Sequence, residues 1–164
     1  MNTATNPRFI RLLASDAPRA ILLIRLAVGF VFASEGIQKF LYPDALGAGR
    51  FAKIGIPWPE VTGPFVGVVE LVGGVAILLG VATRPAALLL ACDMLVAVTS
   101  TKLPIMLGHG FWGFAGPSVA RHGFWSMAHE GRTDLAMLLG SMFLALVGAG
   151  RTSIDAALAR RFSR

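Results

Sequence analysis

One cysteine, Cys92, is the whole thiol inventory of a chain of 164 residues. A lone thiol excludes an internal disulfide, a CxxC redox pair and a cysteine zinc cluster, so no thiol relay runs within the chain. Charge is scarce as well. Asp, Glu, Lys and Arg make up 15% of the residues while 55% are apolar, against an ordinary charged share of about 25%. That balance argues against a soluble core. Bound-flavin and iron–sulfur signatures are missing, so the chain has no sequence signal for carrying electrons unaided. The net charge of +6 comes without a stacking motif or a nucleic-acid fold signature, which excludes nucleic acid and leaves lipid headgroups as the simpler partner. The first 18 residues carry arginines but reach their apolar stretch late, with no small-residue cleavage site, so no cleaved signal peptide is expected.

What the chain does have is long apolar runs. A spanning helix needs about 20 mostly apolar residues, and four stretches meet that measure, at about 20–41, 64–82, 85–104 and 133–150. The first stops at Tyr42-Pro43, and the second follows the Pro57, Pro59 and Pro64 stretch and ends at Thr83-Arg84. The third starts at Pro85, whose missing amide hydrogen costs nothing in a first helical turn, and ends near Pro104. Thr133 is the expected cap of the fourth. The predicted fold is all-α, a single integral membrane four-helix bundle over 1–164. Its outer aromatic loop covers 105–132 and its basic tail 151–164.

Lys and Arg set the orientation. Arg8, Arg11, Arg19, Arg84, Arg151, Arg160, Arg161 and Arg164 fall on one side. Arg50, Lys53, Lys102, Arg121 and Arg132 fall on the other, spread over more residues. Both termini are therefore expected in the cytoplasm, with both long loops outside the bacterial inner membrane. In the tail, Ile154, Leu158 and Phe162 recur at helical spacing beside basic residues, as in an interfacial amphipathic helix.

The outer loop holds His109, Trp112, His122, Trp125 and His129 among further aromatics and glycines. Tryptophan favours the headgroup zone, so the loop reads as an interfacial lid. The three histidines lack a close metal spacing, and solvent or headgroups are the commoner surroundings for them, so no metal is expected. The repeated Gly-Phe-Trp at Gly110 and Gly123 is too short to argue duplication.

Ionisable groups inside the spans carry the most information. Each costs about 2.5–3.5 kcal/mol near the bilayer centre, so such groups pair and face inward. At about 100° per residue, Arg25, Glu35 and Lys39 share one face of the first helix. Glu70 shares its face with Gly63 and Gly67, where small residues let another helix come close, and Asp93 is the acid of the third helix. Counted from the cytoplasmic ends at ~1.5 Å per residue, Arg25 and Asp93 lie about 8 and 12 Å deep, and Glu35 and Glu70 about 20 Å. These depths predict an Arg25–Asp93 pair, and a second layer of Glu35, Lys39 and Glu70. The first pair suits a structural role. The second layer holds more groups than one structural pair needs, and reads as a ligand-binding or proton-handling site with no catalytic residue assigned. Asp134 is expected to complement the N-terminus of the fourth helix.

The residues also carry a resemblance. Arg25 to Phe40 reads RLAVGFVFASEGIQKF, and Gly55 to Ala87 reads GIPWPEVTGPFVGVVELVGGVAILLGVATRPAA. Together they resemble the DoxX family of small bacterial membrane proteins. Arg25, Gly29, Gly36 and Lys39 match its first-helix pattern. Gly55-Ile56-Pro57, Glu70, Gly73-Gly74, Gly80, Thr83-Arg84 and Asp93 match its second and third helices. The likeness covers most of residues 20–103, and the long His- and Trp-rich loop departs from the commonest short form. The resemblance implies a four-helix inner-membrane protein associated with quinone-linked redox systems acting on thiosulfate, thiols or oxidative stress. It transfers no reaction.

Two functions from different classes follow. One is the membrane subunit or accessory of an oxidoreductase, with Glu35, Lys39 and Glu70 contacting a quinone and a partner protein supplying the redox centre. The other is a scaffold without chemistry that holds a lipid or a membrane partner in the same pocket. A transporter is a weaker third reading, because four helices without an inverted repeat make a small carrier. The GxxxG at Gly63 and Gly67 is a candidate homodimer contact.

Overall fold

The computed structural model describes Ser15 and residues 17–162. Its regular elements are all helices, with no strand among the described residues. α1 (Ile21–Leu41) leads through two short helices, α2 (Pro43–Leu46) and α3 (Ala48–Ile54), to α4 (Pro59–Leu79). A tight turn at 80–82 reverses the chain into α5 (Thr83–Ala97), which passes through a π-helical segment (Val98–Lys102) into α6 (Leu103–Leu107). After an irregular stretch come α7 (Phe124–Glu130), α8 (Arg132–Val147) and α9 (Ile154–Phe162).

Three of these rods are long and apolar enough to cross a membrane: α1, α4 and the run Thr83–Leu107. α8 has 16 residues, a rise of about 24 Å against a hydrocarbon core of about 30 Å. It is shorter than the span expected at 133–150. Its hydrogen-bond ladder nevertheless continues past Gly131, whose amide donates to Met127 O and whose carbonyl accepts from Leu135 N, both at 2.8 Å. α7 and α8 are therefore joined through Gly131 by hydrogen bonds of helical spacing, and α7 lies within the stretch expected as the outer loop 105–132.

Helix boundaries moved where proline was read as punctuation. α4 opens with Pro59 in its first turn, where no amide is needed, and carries Pro64 inside it. α5 begins at Thr83, ahead of Pro85. Pro104 does not end the third rod. It follows the π-helical segment, in which the amide of Leu103 bonds Val98 O, so the ladder has already shifted by one residue. Thr133 lies inside α8, whose flanking residue is Gly131, with no side-chain cap.

α1 packs along α4, and α5 along α8. Glycine makes the first contact possible, since a Cβ on Gly36 would lie 2.5 Å from Leu71 N and one on Gly74 2.5 Å from Ala33 N. Backbones that close leave no room for a side chain. Gly63 and Gly67 are used within the chain, where a Cβ would come 2.8 Å from Ala48 N and 2.9 Å from the Phe40 ring. The buried centre is made by Val28, Phe32, Ile77, Leu90, Met94 and Leu144. Outward-facing Leu23, Phe30, Leu89 and Leu146 are exposed, as expected of helices solvated by lipid, where packing rather than apolar burial holds helices together.

The bundle has two distinct ends. The basal end gathers the start of α1, the turn at 80–82 and α9, while the distal end carries α2, α3, α6 and α7. Of the cationic anchors read from the sequence, Arg8, Arg11 and Arg164 lie outside the described residues. α9 forms as expected and leaves Ile154 exposed, but Asp155 and Ala156 are buried, so its first turn is docked on the bundle.

Candidate functional site

The basal end is tied by two side chains, Arg25 and Asp155. Arg25 is 2% exposed. Its Nε donates to Ile77 O at 2.9 Å and its Nη2 to Leu78 O at 2.6 Å. Its Nη1 donates to Ala149 O at 3.2 Å and Thr152 O at 2.8 Å. Ile77 and Leu78 belong to the last turn of α4, whose carbonyls have no intrahelical amide and form the negative end of its dipole. Asp155 does the converse for α5. Its Oδ1 accepts from Ala82 N at 2.8 Å and its Oδ2 from Thr83 N at 2.9 Å, at a helix start where amides are orphaned. Ala82 has φ 45, a left-handed conformation that costs a residue with a Cβ about 1–2 kcal/mol. The carboxylate of Asp155 holds it there.

The expected Arg25–Asp93 pair is not formed. Arg25 spends its donors on four carbonyls, and the acid that acts on it electrostatically is Asp155. Asp93 instead joins the other layer. The tight turn at 80–82 makes α4 and α5 an antiparallel hairpin, and Glu70 and Asp93 stand nearly equidistant from it, so the two acids face one another.

Lys39 Nζ meets Glu70 Oε2 at 2.5 Å, and the Asp93 carboxyl lies close enough to those two groups to act on them electrostatically. Glu35 lies close enough to act on Glu70 electrostatically. Glu70 is 3% exposed. Asp93 Oδ2 is buried and receives no hydrogen bond among the described residues. The sequence placed Glu35, Lys39 and Glu70 together, and the structure brings the three together with Asp93 added.

This cluster lines a cavity of about 550 Å³. Phe32, Phe51, Phe65, Met94 and Met137 contribute apolar wall, and Ser100 and Thr101 of the π-helical segment contribute hydroxyls. Such segments concentrate at functional sites. Toward the distal end the lining includes Arg50, Lys102, Glu130 and Asp134, and Lys102 Nζ pairs with Asp134 Oδ2 at 3.3 Å. Asp134 does lie in the first turn of α8, but it also ties that turn to the third rod. A polar floor, apolar walls and a charged rim make a pocket of ordinary small-molecule size, about 300–1,000 Å³.

The outer-loop residues stand apart from this cavity. His109 Nδ1 contacts Gly110 O at 2.7 Å, and His129 O accepts from the Arg132 guanidinium. His122, Trp125 and His129 border a separate surface concavity, while Trp112 is 83% exposed. No group of three or more metal-ligating side chains assembles among the described residues. The loop is stitched to the bundle by Ala115 N donating to Ile54 O at 2.7 Å and Gly123 N to Ile105 O at 3.0 Å. It does not cover the cavity with its tryptophans.

Sequence reading missed the roles of Asp155 and Asp93 as well as the carbonyl partners of Arg25. Nothing local to Asp155 marks it as the cap of a helix far away in sequence. Asp93 was findable by counting from the tight turn rather than from each helix end.

Comparison with known proteins gives these residues a setting. The sequence model described as DoxX matches residues 20–103, which includes every member of the floor cluster. The chain is 50% identical over 155 residues to an uncharacterized membrane protein of Mycobacterium tuberculosis, covering 94% of this chain and 91% of that one. It is 28% identical over 136 residues to a Bacillus subtilis protein named "Putative oxidoreductase CatD", covering 82% and 83%. An Escherichia coli protein named "Inner membrane protein YphA" is 26% identical over 138 residues, covering 84% and 89%. No solved structure matches the chain.

Proposed function

This chain belongs to the DoxX family, and from that premise we propose that it is an inner-membrane accessory of a quinone-linked redox system, holding the quinone head in the cavity between its helices. The observation that carries the reading is the floor of that cavity, where Lys39, Glu70 and Asp93 meet under apolar walls. A bilayer interior holds such groups at a cost, and they ordinarily mark a pathway or a ligand site. A quinone supplies two-electron, two-proton chemistry when bound. The residues fit it. Lys39 is a donor that a head-group oxygen can share, Asp93 Oδ2 is an acceptor without a donor, and Glu70 lies between them to hold or pass a proton. The walls exclude water from the head, which strengthens each of these contacts. Electrons come from a partner protein, because this chain has no redox centre of its own sequence. The name of the Bacillus subtilis relative supports an oxidoreductase setting.

In this reading α8, extended through α7, completes a four-span bundle with both termini in the cytoplasm. By sequence, Arg8, Arg11, Arg19, Arg84, Arg151, Arg160, Arg161 and Arg164 belong to the basal side, eight against the five Lys and Arg of the other, a bias that supports that orientation by the positive-inside rule. The name of the Escherichia coli relative supports the inner membrane. The test is binding of a short-chain quinone to purified wild type, Glu70→Gln and Lys39→Met in detergent or nanodiscs. Saturable binding that both substitutions abolish supports the reading. Equal binding by all three proteins, or none by wild type, leaves a scaffold without a quinone site.

A further inference from the structure

The cavity has two rims of different character. Its distal rim is polar, formed by Arg50, Lys102, Glu130, Thr133 and Asp134. Its other exposed lining residues are apolar: Phe65 on α4 is 64% exposed and Val96 on α5 is 53% exposed. Both line the interior space and both stand on faces that a bilayer covers. The two residues stand at matching levels of one hairpin, counted from the turn at 80–82. Near the turn, α4 and α5 are close, with a Cβ on Gly73 only 3.1 Å from the Leu90 side chain. The acids Glu70 and Asp93 lie one level further on, near enough to influence one another electrostatically. Beyond that level, toward the distal end, both helices line the cavity, α4 through Phe65 and Val66 and α5 through Val96 and Ala97, and Phe65 and Val96 are the exposed pair among them.

We propose that the cavity is loaded sideways from the bilayer, between α4 and α5 past Phe65 and Val96, by an uncharged amphiphile that leaves its alkyl chain in the lipid. An apolar gap at membrane depth admits a lipid-dissolved molecule at no desolvation cost and rejects an ion. The head then reaches the floor acids, while the polar distal rim gives them a separate route to water. Ligand and protons thus use different openings. The inference rests on the proposed site for its choice of a quinone as occupant, but the gap itself is tested without one.

A lipophilic carbodiimide reacts with a protonated carboxyl by adding its O–H across the C=N bond, and rearrangement to an N-acylurea retains the probe's whole mass. In membrane vesicles holding the full chain, dicyclohexylcarbodiimide is expected to label Glu70 or Asp93, read by peptide mass spectrometry. Val96→Trp should slow that labelling by about tenfold, Phe65→Ala should speed it, and Thr133→Trp at the polar rim should leave it unchanged. Both portal residues are exposed and neither belongs to the buried centre, and retained secondary structure by circular dichroism checks that both variants fold. No labelling of the wild type, a Val96→Trp rate within about twofold of it, or slowing by Thr133→Trp alone overturns the lateral route. Decylubiquinol added to the same vesicles separates the two ideas. Protection of the carboxyls supports both, whereas lateral labelling without protection keeps the portal and removes the quinone.

Discussion

Asp155 accepts the amide of Thr83 at 2.9 Å across 72 positions of sequence, so α9 supplies the N-terminal cap that α5 lacks in its own sequence. Loss of a capping side chain costs about 0.5–2 kcal/mol, and here the strained Ala82 loses its tether as well. Asp155→Ala is therefore expected to lower the thermal midpoint in detergent, with Asp155→Asn losing less because one acceptor survives. Combined with Arg25→Met the loss should be less than the sum of the singles, because the two groups act on one turn. Strict additivity in that cycle would mean that the two ends of the turn are held independently.

The Lys39–Glu70 contact makes opposite predictions for stability and function. Lys39→Met leaves Glu70 and Asp93 without a cation in a buried layer, a change that costs about 3–5 kcal/mol for a broken buried pair. Lys39→Met with Glu70→Leu removes the stranded charge too, and should recover most of that stability in a thermal melt. Quinone binding should stay lost in the double variant. Binding restored along with stability would show that the pair serves only the fold.

Gly36 and Gly74 set the spacing of α1 and α4, since a Cβ on either would meet backbone atoms at 2.5 Å. Gly36→Ala and Gly74→Ala should each destabilise the protein by the ~1–3 kcal/mol typical of overpacking. Gly73→Ala is the milder case, because its Cβ would meet the Leu90 side chain at 3.1 Å rather than backbone at 2.5 Å. Melting points of the three variants in one detergent check the ranking, and a Gly73→Ala loss as large as the other two would contradict it.

All three tryptophans of the chain, Trp58, Trp112 and Trp125, are exposed at the distal end. With that end outside the cell, iodide added to right-side-out vesicles should quench their fluorescence, and iodide added to inverted vesicles should not. The reverse pattern would turn the bundle over. Lipids brominated near the headgroup should quench more strongly than lipids brominated at the chain ends, as interfacial indoles require.

The long apolar runs were legible because length and composition alone identify helices that cross lipid, and the inward face of Glu35, Lys39 and Glu70 was legible from the helical period. Proline misled at both ends of its use. Pro64 and Pro104 sit within helical rods, since α4 had already begun at Pro59 and the π-helical segment had already shifted the ladder ahead of Pro104. Arg25 could not be assigned from sequence for a different reason. Its partners are carbonyls, which every residue has, and pairing rules written for side chains pointed to Asp93 instead. The short helices α2, α3 and α7 fell in loops because each has too few residues to show a period.

The guanidinium lock at the basal end also imposes an order on synthesis. Arg25 enters the membrane early, yet one of its acceptors, Ala149 O, is made 124 residues later. Until that segment emerges, the nascent bundle carries a cation whose bonds are incomplete. A chain halted before it would leave Arg25 Nη1 without the carbonyls of Ala149 and Thr152, its two acceptors outside α4.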